Sequence, residues 1–381
     1  LYLKISSSNS RKEIYMEEKL TDYIKNKVCK NTYNYLVDFL SGPGYGFDIN
    51  TLSVGHFFLF IEYCLNENQK FSYWRSLNGP INETWFEPWK KYLESKGVKI
   101  NLNSKLTKIN HKDNKIENIN IKFKDNKIFN FQADEYIICI NPESLINILF
   151  DSNLYNIANK HIKYSTVNNQ VSFRIGLRKK INLKKMSGII LLDSPYNITL
   201  HSYQDHWNEK YDLGMNGEIK TLISGTLVRT YKKGSLFKKS ALSLTEKELL
   251  QEIIHQILES KQFINFIKEN NNKYILDEKD IIHKSIFEDW YMKDGRLKVE
   301  NKKWINTIKN EKNRVDNLTK FDNLFIGGSH TKTSTNIWLM EGAAESGLMV
   351  TNLILEKYQK NKLNIVTHKS SVLIGLLKML D

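Results

Sequence analysis

The sequence is poor in cysteine and proline, and its glycine is modest: 3 Cys, 5 Pro and 18 Gly in 381 residues. Cys29, Cys64 and Cys139 lie far apart, show no CxxC or Cys/His ligand spacing, and leave one over after any pairing. That excludes a disulfide scaffold and a structural zinc site and predicts a reducing, cytoplasmic setting. Low Pro and Gly with 41% hydrophobic and 12% aromatic residues exclude a disordered or collagen-like chain. No run of about 18 uncharged apolar residues is present, and no leader with a small-residue cleavage site opens the chain. A soluble protein is expected. The apolar tail Ser371 to Leu380 reads as a final helix docked on the body, or as a short helix making peripheral membrane contact.

Acidic residues are outnumbered, 42 against 56 Lys and Arg, for a formal charge of +14. Lys is scattered among Asn and Ile along the whole chain, and no RNP, helix-turn-helix or zinc-finger spacing accompanies it. Nucleic acid is therefore not the expected partner. The chemistry of several enzyme classes is missing as well. There is no Gly-x-Ser-x-Gly elbow, His-Glu-x-x-His or P-loop, and Asp193, His201, Asp205 and His206 have no spacing that specifies a metal.

What is present divides by hydrophobic period. Residues 1 to 95 read as mainly helical. One stripe runs through Leu20, Ile24, Val28, Leu36, Val37 and Leu40 and is stopped by Gly42 and Pro43; a second helix from near Ser53 buries Phe57, Phe58, Phe60, Ile61 and Leu65. A third, from Glu83, ends at Gly97, which suits the left-handed position past a helix end. After Gly97 the period falls to 2. Val98 and Ile100 suggest a short strand. A small meander follows, with apolar positions at Leu106, Ile109, Ile116, Ile119, Ile121, Phe123, Ile128, Phe129 and Phe131. The run Tyr136 to Ile140 has the continuous apolar character of a strand covered on both faces. Gln170 to Leu177 and Lys220 to Tyr231 alternate as strands of a second sheet, Thr245-x-x-Glu248 caps a helix, and Ile281 to Trp290 is strand-like.

The segment from Asn323 to Leu355 carries the chemistry. Leu324 to Ile326 reads as a buried strand, and Gly327-Gly328 lets the backbone turn close to a ligand. Ser329 to Asn336 is a polar loop. Met340 to Leu355 is a helix whose small residues Gly342, Ala343, Ala344, Ser346 and Gly347 permit close packing on a neighbour or a flat ring. Its first-turn amides are unpaired donors at the positive end of the dipole, suited to an anionic or carbonyl-rich group. This design alone leaves the ligand open.

The order of residues is more specific. Asn-Leu-Phe-Ile-Gly-Gly-Ser from Asn323, then Met-Glu-Gly-Ala-Ala-Glu-Ser-Gly from Met340, resembles the carboxy-terminal flavin motif of the FAD-dependent amine oxidase and phytoene desaturase superfamily, closest to its hydroxysqualene dehydroxylase-like branch. Residues 85 to 142 are similar to the superfamily's helix, meander and Ala-Asp-x-apolar run. The resemblance implies an α/β fold: a Rossmann-like FAD-binding domain, interleaved with an α+β substrate domain. In chain terms, residues 1–95 would form a helical cap, 96–150 the middle of the FAD domain, 151–320 the substrate domain, 321–360 the end of the FAD domain, and 361–381 a tail.

The resemblance places FAD against Gly327, Gly328, Ser329, Trp338, Leu339, Met340 and Ala343, with the strand of Leu106 near adenine. It implies hydride transfer to the flavin from a small apolar, isoprenoid-like substrate. No catalytic residue and no metal are assigned, and Phe57, Tyr196, Trp207 and Trp338 are candidate cavity walls. Core packing is the stronger alternative for the helix of Phe57. Two departures matter. Ser329 stands where the superfamily commonly has an acid, and Leu339 where amine oxidases place a cage Tyr, which argues for an apolar substrate over the alternative, an amine oxidase. No Gly-x-Gly-x-x-Gly follows a strand; Gly42 to Gly46 follows a helix and lacks the last glycine. The expectation is an FAD domain incomplete at its N-terminus, with an upstream segment carrying the missing strand and helix, or else a remnant that serves as a binding module.

Overall fold

The computed structural model describes residues 9–40, 49–61, 77–162, 167–168, 170–183, 188–287, 289–300, 303–308, 313–334, 336 and 339–366. Helices α1 (Asn9–Glu17), α2 (Leu20–Lys25) and α3 (Lys30–Leu40) open the chain, followed by a helical run over 54–61. Leu20, Ile49, Leu52 and Val54 form their buried centre. Phe57, Phe58, Phe60 and Ile61 are half-buried, where the sequence pattern predicts burial. The expected stop at Gly42 and Pro43, together with Cys64 and Leu65, lies outside the described residues.

A π-helical turn, Asn82–Phe86, leads into α4 (Glu87–Ser95), and neither buries a side chain. Gly97 takes φ +86°, and the Val98 amide donates back to the Leu93 carbonyl at 3.1 Å, which closes the helix end as expected. Val98 to Ile100 do not pair as a strand: the segment has no regular secondary structure and finds no partner strand among the described residues.

The meander is β1 (Ser104–Lys112), β2 (Lys115–Phe123) and β3 (Ile128–Phe131), antiparallel in that order. Asp113 and Asn126 hold φ of 52° and 65° in its turns, a conformation Asp and Asn tolerate better than most residues. β4 (Tyr136–Ile138) follows, then α5 (Pro142–Asp151), capped by the Asn141 side chain on the Ser144 amide, and α6 (Tyr155–Ile162).

The larger lobe is a five-stranded antiparallel sheet of β6 (Val171–Leu177), β7 (Ile189–Leu191), β8 (Ile198–His201), β9 (Thr221–Leu227) and β10 (Ile281–Ile286), ordered β10-β6-β9-β8-β7. β9 alternates buried and half-buried along its whole length, the pattern of a sheet with one face on a core. That core contains Phe173, Ile223, Leu249 and Ile253, the last two from α7 (Glu246–Glu259). Thr245 and Glu248 form the predicted capping box at its start. Helix α8 (Lys261–Asn270) and the hairpin β11 (Trp290–Lys293) with β12 (Arg296–Val299) pack beside it. Short β5 (Val167–Asn168) pairs with β13 (Lys303–Trp304).

Finally β14 (Leu324–Ile326) pairs in parallel with β4, and α9 (Met340–Lys357) closes the described fold. A third core joins the smaller lobe: Ile109 and Ile116 of the meander, Leu145 and Leu149 of α5, and Leu324 and Ile326.

Candidate flavin site

The parallel pair positions everything at this site. Leu324, Phe325 and Ile326 are all buried, each apolar side chain stabilising the strand by ~1.5–3 kcal/mol relative to exposure. Leu324 lies opposite Tyr136 and Ile326 opposite Ile138, and the Gly327 amide donates to the Ile138 carbonyl at 3.0 Å, extending the ladder by one residue. Asn323 starts the strand for a reason the motif does not disclose. Its side-chain amide pairs with the Ile116 backbone in both directions, accepting from the amide at 2.8 Å and donating to the carbonyl at 2.9 Å. A buried side chain thus imitates a strand neighbour and fixes the meander to β14.

On its outer edge β14 is covered: the Ile326 amide donates to the Asn317 carbonyl at 3.0 Å. The other edge of the pair, along β4, meets no further strand among the described residues. Tyr136 and Ile138 are buried but Ile137 is 49% exposed. The sequence reading of a strand covered on both faces is thereby corrected; one face of β4 is packed and the other lies open.

Gly327 and Gly328 serve different needs. A Cβ on Gly327 would lie 2.7 Å from the Cys139 sulfur, so a larger residue fits there only if the Cys139 side chain shifts. Gly328 has φ +128°, which L residues rarely adopt, and its amide donates to the Ser346 hydroxyl at 3.0 Å. Ser346, buried in α9, also accepts from the Asn317 side chain at 2.9 Å and lies 2.8 Å from the Thr331 hydroxyl. Strand, turn and helix are therefore joined through one hydroxyl.

The polar loop after Gly328 is held by residues that sequence reasoning missed. Arg314, only 4% exposed, donates through Nη1 to the carbonyls of Ser329 at 2.9 Å and Thr331 at 3.0 Å. Its Nη2 donates to Asn306 Oδ1 at 3.2 Å and to the Asn336 carbonyl. The plane of donors on a guanidinium suits several carbonyls at once, which Lys cannot match. Glu345, on α9, accepts from the Ser334 amide at 2.6 Å and its hydroxyl at 3.0 Å. The available signal for Arg314 is its rarity as an Arg in a chain whose basic residues are mostly Lys.

This locked loop delivers the N-terminus of α9. Leu339 is its N-cap, in extended conformation with no side-chain cap, and the Ala343 amide is the first to reach back, to the Leu339 carbonyl at 3.3 Å. Helix geometry leaves the amides of Met340, Glu341 and Gly342 without intrahelical acceptors. Met340, Ala343 and Ala344 face outward, with Met340 at 62% exposure. Trp338 lies outside the described residues.

Leu106 belongs to the same neighbourhood. A cleft of ≈ 560 Å³ runs between the meander and β4, lined by Leu106, Ile121, Phe131, Ile137 and Cys139. Cys139 touches Gly327 across the backbone, so the cleft begins beside the glycine turn and reaches the meander. A register shift follows Leu106 in β1, the kind of irregularity that re-aims side chains near functional sites.

The residues present fit the flavin end of FAD: small outward residues, open amides and a glycine turn. The suggested cavity walls are elsewhere. Tyr196 is fully buried in the core of the larger lobe and donates its hydroxyl to the Lys239 carbonyl at 2.9 Å, so its observed place is packing. Phe57 packs against the core of Leu20, Ile49, Leu52 and Val54, as the alternative reading has it. Trp207 is half-buried and stacks edge-on to Tyr211 at 5.4 Å. Neither touches the Gly327 to Ala343 segment in any described contact. Among the described residues no group of three or more His, Cys, Asp or Glu could hold a metal ion, and no helix is long and apolar enough to cross a membrane.

No curated protein matches the sequence. An oxidoreductase from Methanosarcina mazei shares the fold at TM-score 0.50 and 13% identity, over 92% of this chain and 74% of that one. Cyclohexylamine oxidase from Brevibacterium oxydans shares it at TM-score 0.51 and 9% identity, over 94% and 73%. The sequence model of the flavin containing amine oxidoreductases matches residues 11–355. The chain belongs to that family of FAD-dependent oxidoreductases, as the motif at Asn323 to Leu355 implies.

Proposed function

We propose that this protein oxidises an apolar, isoprenoid-like substrate by hydride transfer to FAD, with the N-terminal turn of α9 at the flavin ring. FAD, when bound, supplies the hydride acceptor. The chain's own residues supply placement. Arg314 and Glu345 hold the loop from Ser329 to Asn336, and that loop fixes where α9 begins. The open amides of Met340, Glu341 and Gly342 stabilise negative charge on a group set against them, which favours a reduced ring.

The observation that carries the reading is the outward face of α9. An uncapped helix start is followed by exposed Ala343 and Ala344 on a helix whose opposite side, Glu345 and Ser346, is buried and hydrogen-bonded. Leu339, at the position of the amine oxidases' cage Tyr, supports an apolar substrate over an amine. The open β4 edge belongs to the same proposal: β4 and β14 are two strands of a wider Rossmann-like parallel sheet, and the remaining strands pair there. Exposed Ile137 supports this, because parallel sheets are normally covered on both faces.

The test is the yellow flavin absorbance of the purified protein, compared with an Ala343→Trp variant. Exposed Ala343 tolerates substitution within about 0.5 kcal/mol of stability. The variant is expected to melt normally and to lose most of its flavin. A colourless wild-type protein, or unchanged flavin in Ala343→Trp, would overturn the assignment. Peroxide release from monoamines or polyamines would replace the apolar-substrate reading with amine oxidation.

A further inference from the structure

Strand β9 ends at Leu227, and the residues 229–240 that follow contain five basic residues, Arg229, Lys232, Lys233, Lys238 and Lys239, and no acid. Four of the lysines fall within eight residues, 232–239. The segment is a closed hairpin: the Ala241 amide donates to the Thr230 carbonyl at 2.9 Å, the Gly234 amide to Lys239 at 2.8 Å, and Lys233 bridges Ser240. Beneath it, the fully buried Glu252 carboxylate of α7 accepts from the amides of Ser235, Leu236 and Phe237 at 2.7, 3.1 and 2.7 Å. A Cβ on Gly234 would come within 2.3 Å of that carboxyl group. The acid is thus spent on the backbone of the hairpin and leaves the exposed lysines uncompensated by it.

Outside, the hairpin is amphipathic. All four lysines are exposed; Leu236, between the two pairs, is 45% exposed, and Tyr231, just before them and with the Lys232 ammonium 5.8 Å from its ring centre, is 58% exposed. Among the described ion pairs, Lys239 is the one lysine of the four near an acid, 3.9 Å from Glu248. Arg229, at the root, pairs with Asp38 of α3, a helix that leaves Tyr35 and Phe39 exposed and stacked at 6.2 Å.

Lysines flanking exposed apolar residues on a fixed backbone match a surface with anionic groups above and hydrocarbon below. A nucleic acid would use the charges but offers nothing to Leu236. We propose that the 229–240 hairpin docks this protein on an anionic phospholipid bilayer. A hairpin held by Glu252 needs no ordering on contact, so little conformational entropy opposes binding. The inference stands apart from the flavin reading, since lipid binding is measured without flavin.

Co-sedimentation with phosphatidylcholine vesicles, with and without phosphatidylserine, tests it. The full chain is expected to sediment with phosphatidylserine vesicles and to be released by salt, which screens such contacts. K232E/K233E/K238E/K239E should lower the apparent partition coefficient by roughly 10²-fold or more. Leu236→Ser should lower it several-fold at constant charge, and it keeps the test open should the quadruple variant misfold. A control with the same charge change on the meander, K108E/K112E/K115E/K124E, should retain binding. Equal loss in that control would show that overall charge acts alone and would overturn the proposal. So would binding unaffected by the hairpin variants, or binding to a single-stranded oligonucleotide without binding to vesicles.

Discussion

The Gly328 amide donates to the Ser346 hydroxyl at 3.0 Å, so the turn after β14 and the second turn of α9 are one unit. The same hydroxyl serves Asn317 and Thr331. Ser346→Ala would leave the half-buried Gly328 amide without this acceptor and remove one of the acceptors of the buried Asn317 carboxamide. Its expected cost is ~1–3 kcal/mol, read as a lower denaturant midpoint at unchanged slope, together with weaker flavin retention.

Gly327 and Cys139 are coupled by space alone. Gly327→Ala places a methyl group 2.7 Å from the Cys139 sulfur, and overpacking of this kind costs ~1–3 kcal/mol. Cys139→Ala removes that sulfur. The double variant is expected to recover most of the stability lost in Gly327→Ala, and a double-mutant cycle measures the coupling. Additive losses would show that backbone conformation, not the sulfur, demands glycine at this position.

Arg314 is predicted to act as a positioning residue for the loop. Arg314→Lys keeps the charge but cannot reach the carbonyls of Ser329, Thr331 and Asn336 together. Flavin content should fall while the far-UV circular dichroism of the whole protein stays unchanged. A variant with full flavin content would contradict this role.

Glu252 gives a pH dependence with a definite sign. Burial acts to raise its pKa, but donation from Phe237, the Gln256 side chain, Leu236 and Ser235 outweighs it, leaving the carboxyl below the usual range. A depressed folded-state pKa contributes stability above the unfolded value, about 4.3 for Glu, and that stability is lost as pH falls through the folded-state value. Glu252→Gln should therefore lower the melting midpoint at neutral pH and flatten the acid limb of the stability curve. An unchanged acid limb would place the acid sensitivity in other carboxylates.

Local elements were legible wherever a single period or a capping pair decides them. The meander, the Thr245 to Glu248 capping box, the Gly97 helix end and the strand–glycine–helix order of residues 324 to 357 all follow from neighbouring residues. Pairing over long separations was not legible. Asn323 binds Ile116 and Arg314 gathers carbonyls from Ser329 to Asn336, and neither has a periodic or motif signature. Tyr196 shows the opposite failure: an aromatic in a polar stretch suggested a cavity wall, yet it fills the core of the larger lobe.

By itself the amino-acid order determined the family and the strand–glycine–helix form of residues 324 to 357, because glycine turns, small helix residues and their spacing are local constraints on backbone approach. Only the tertiary structure decided that no strand among the described residues pairs along the free edge of β4, that Ser346 and Arg314 hold the loop after Gly328, and that Glu252 of α7 holds the lysine-bearing hairpin from beneath. Those depend on which distant surfaces meet. Burial and hydrogen-bond satisfaction select such meetings over the whole fold, and no window of sequence contains them.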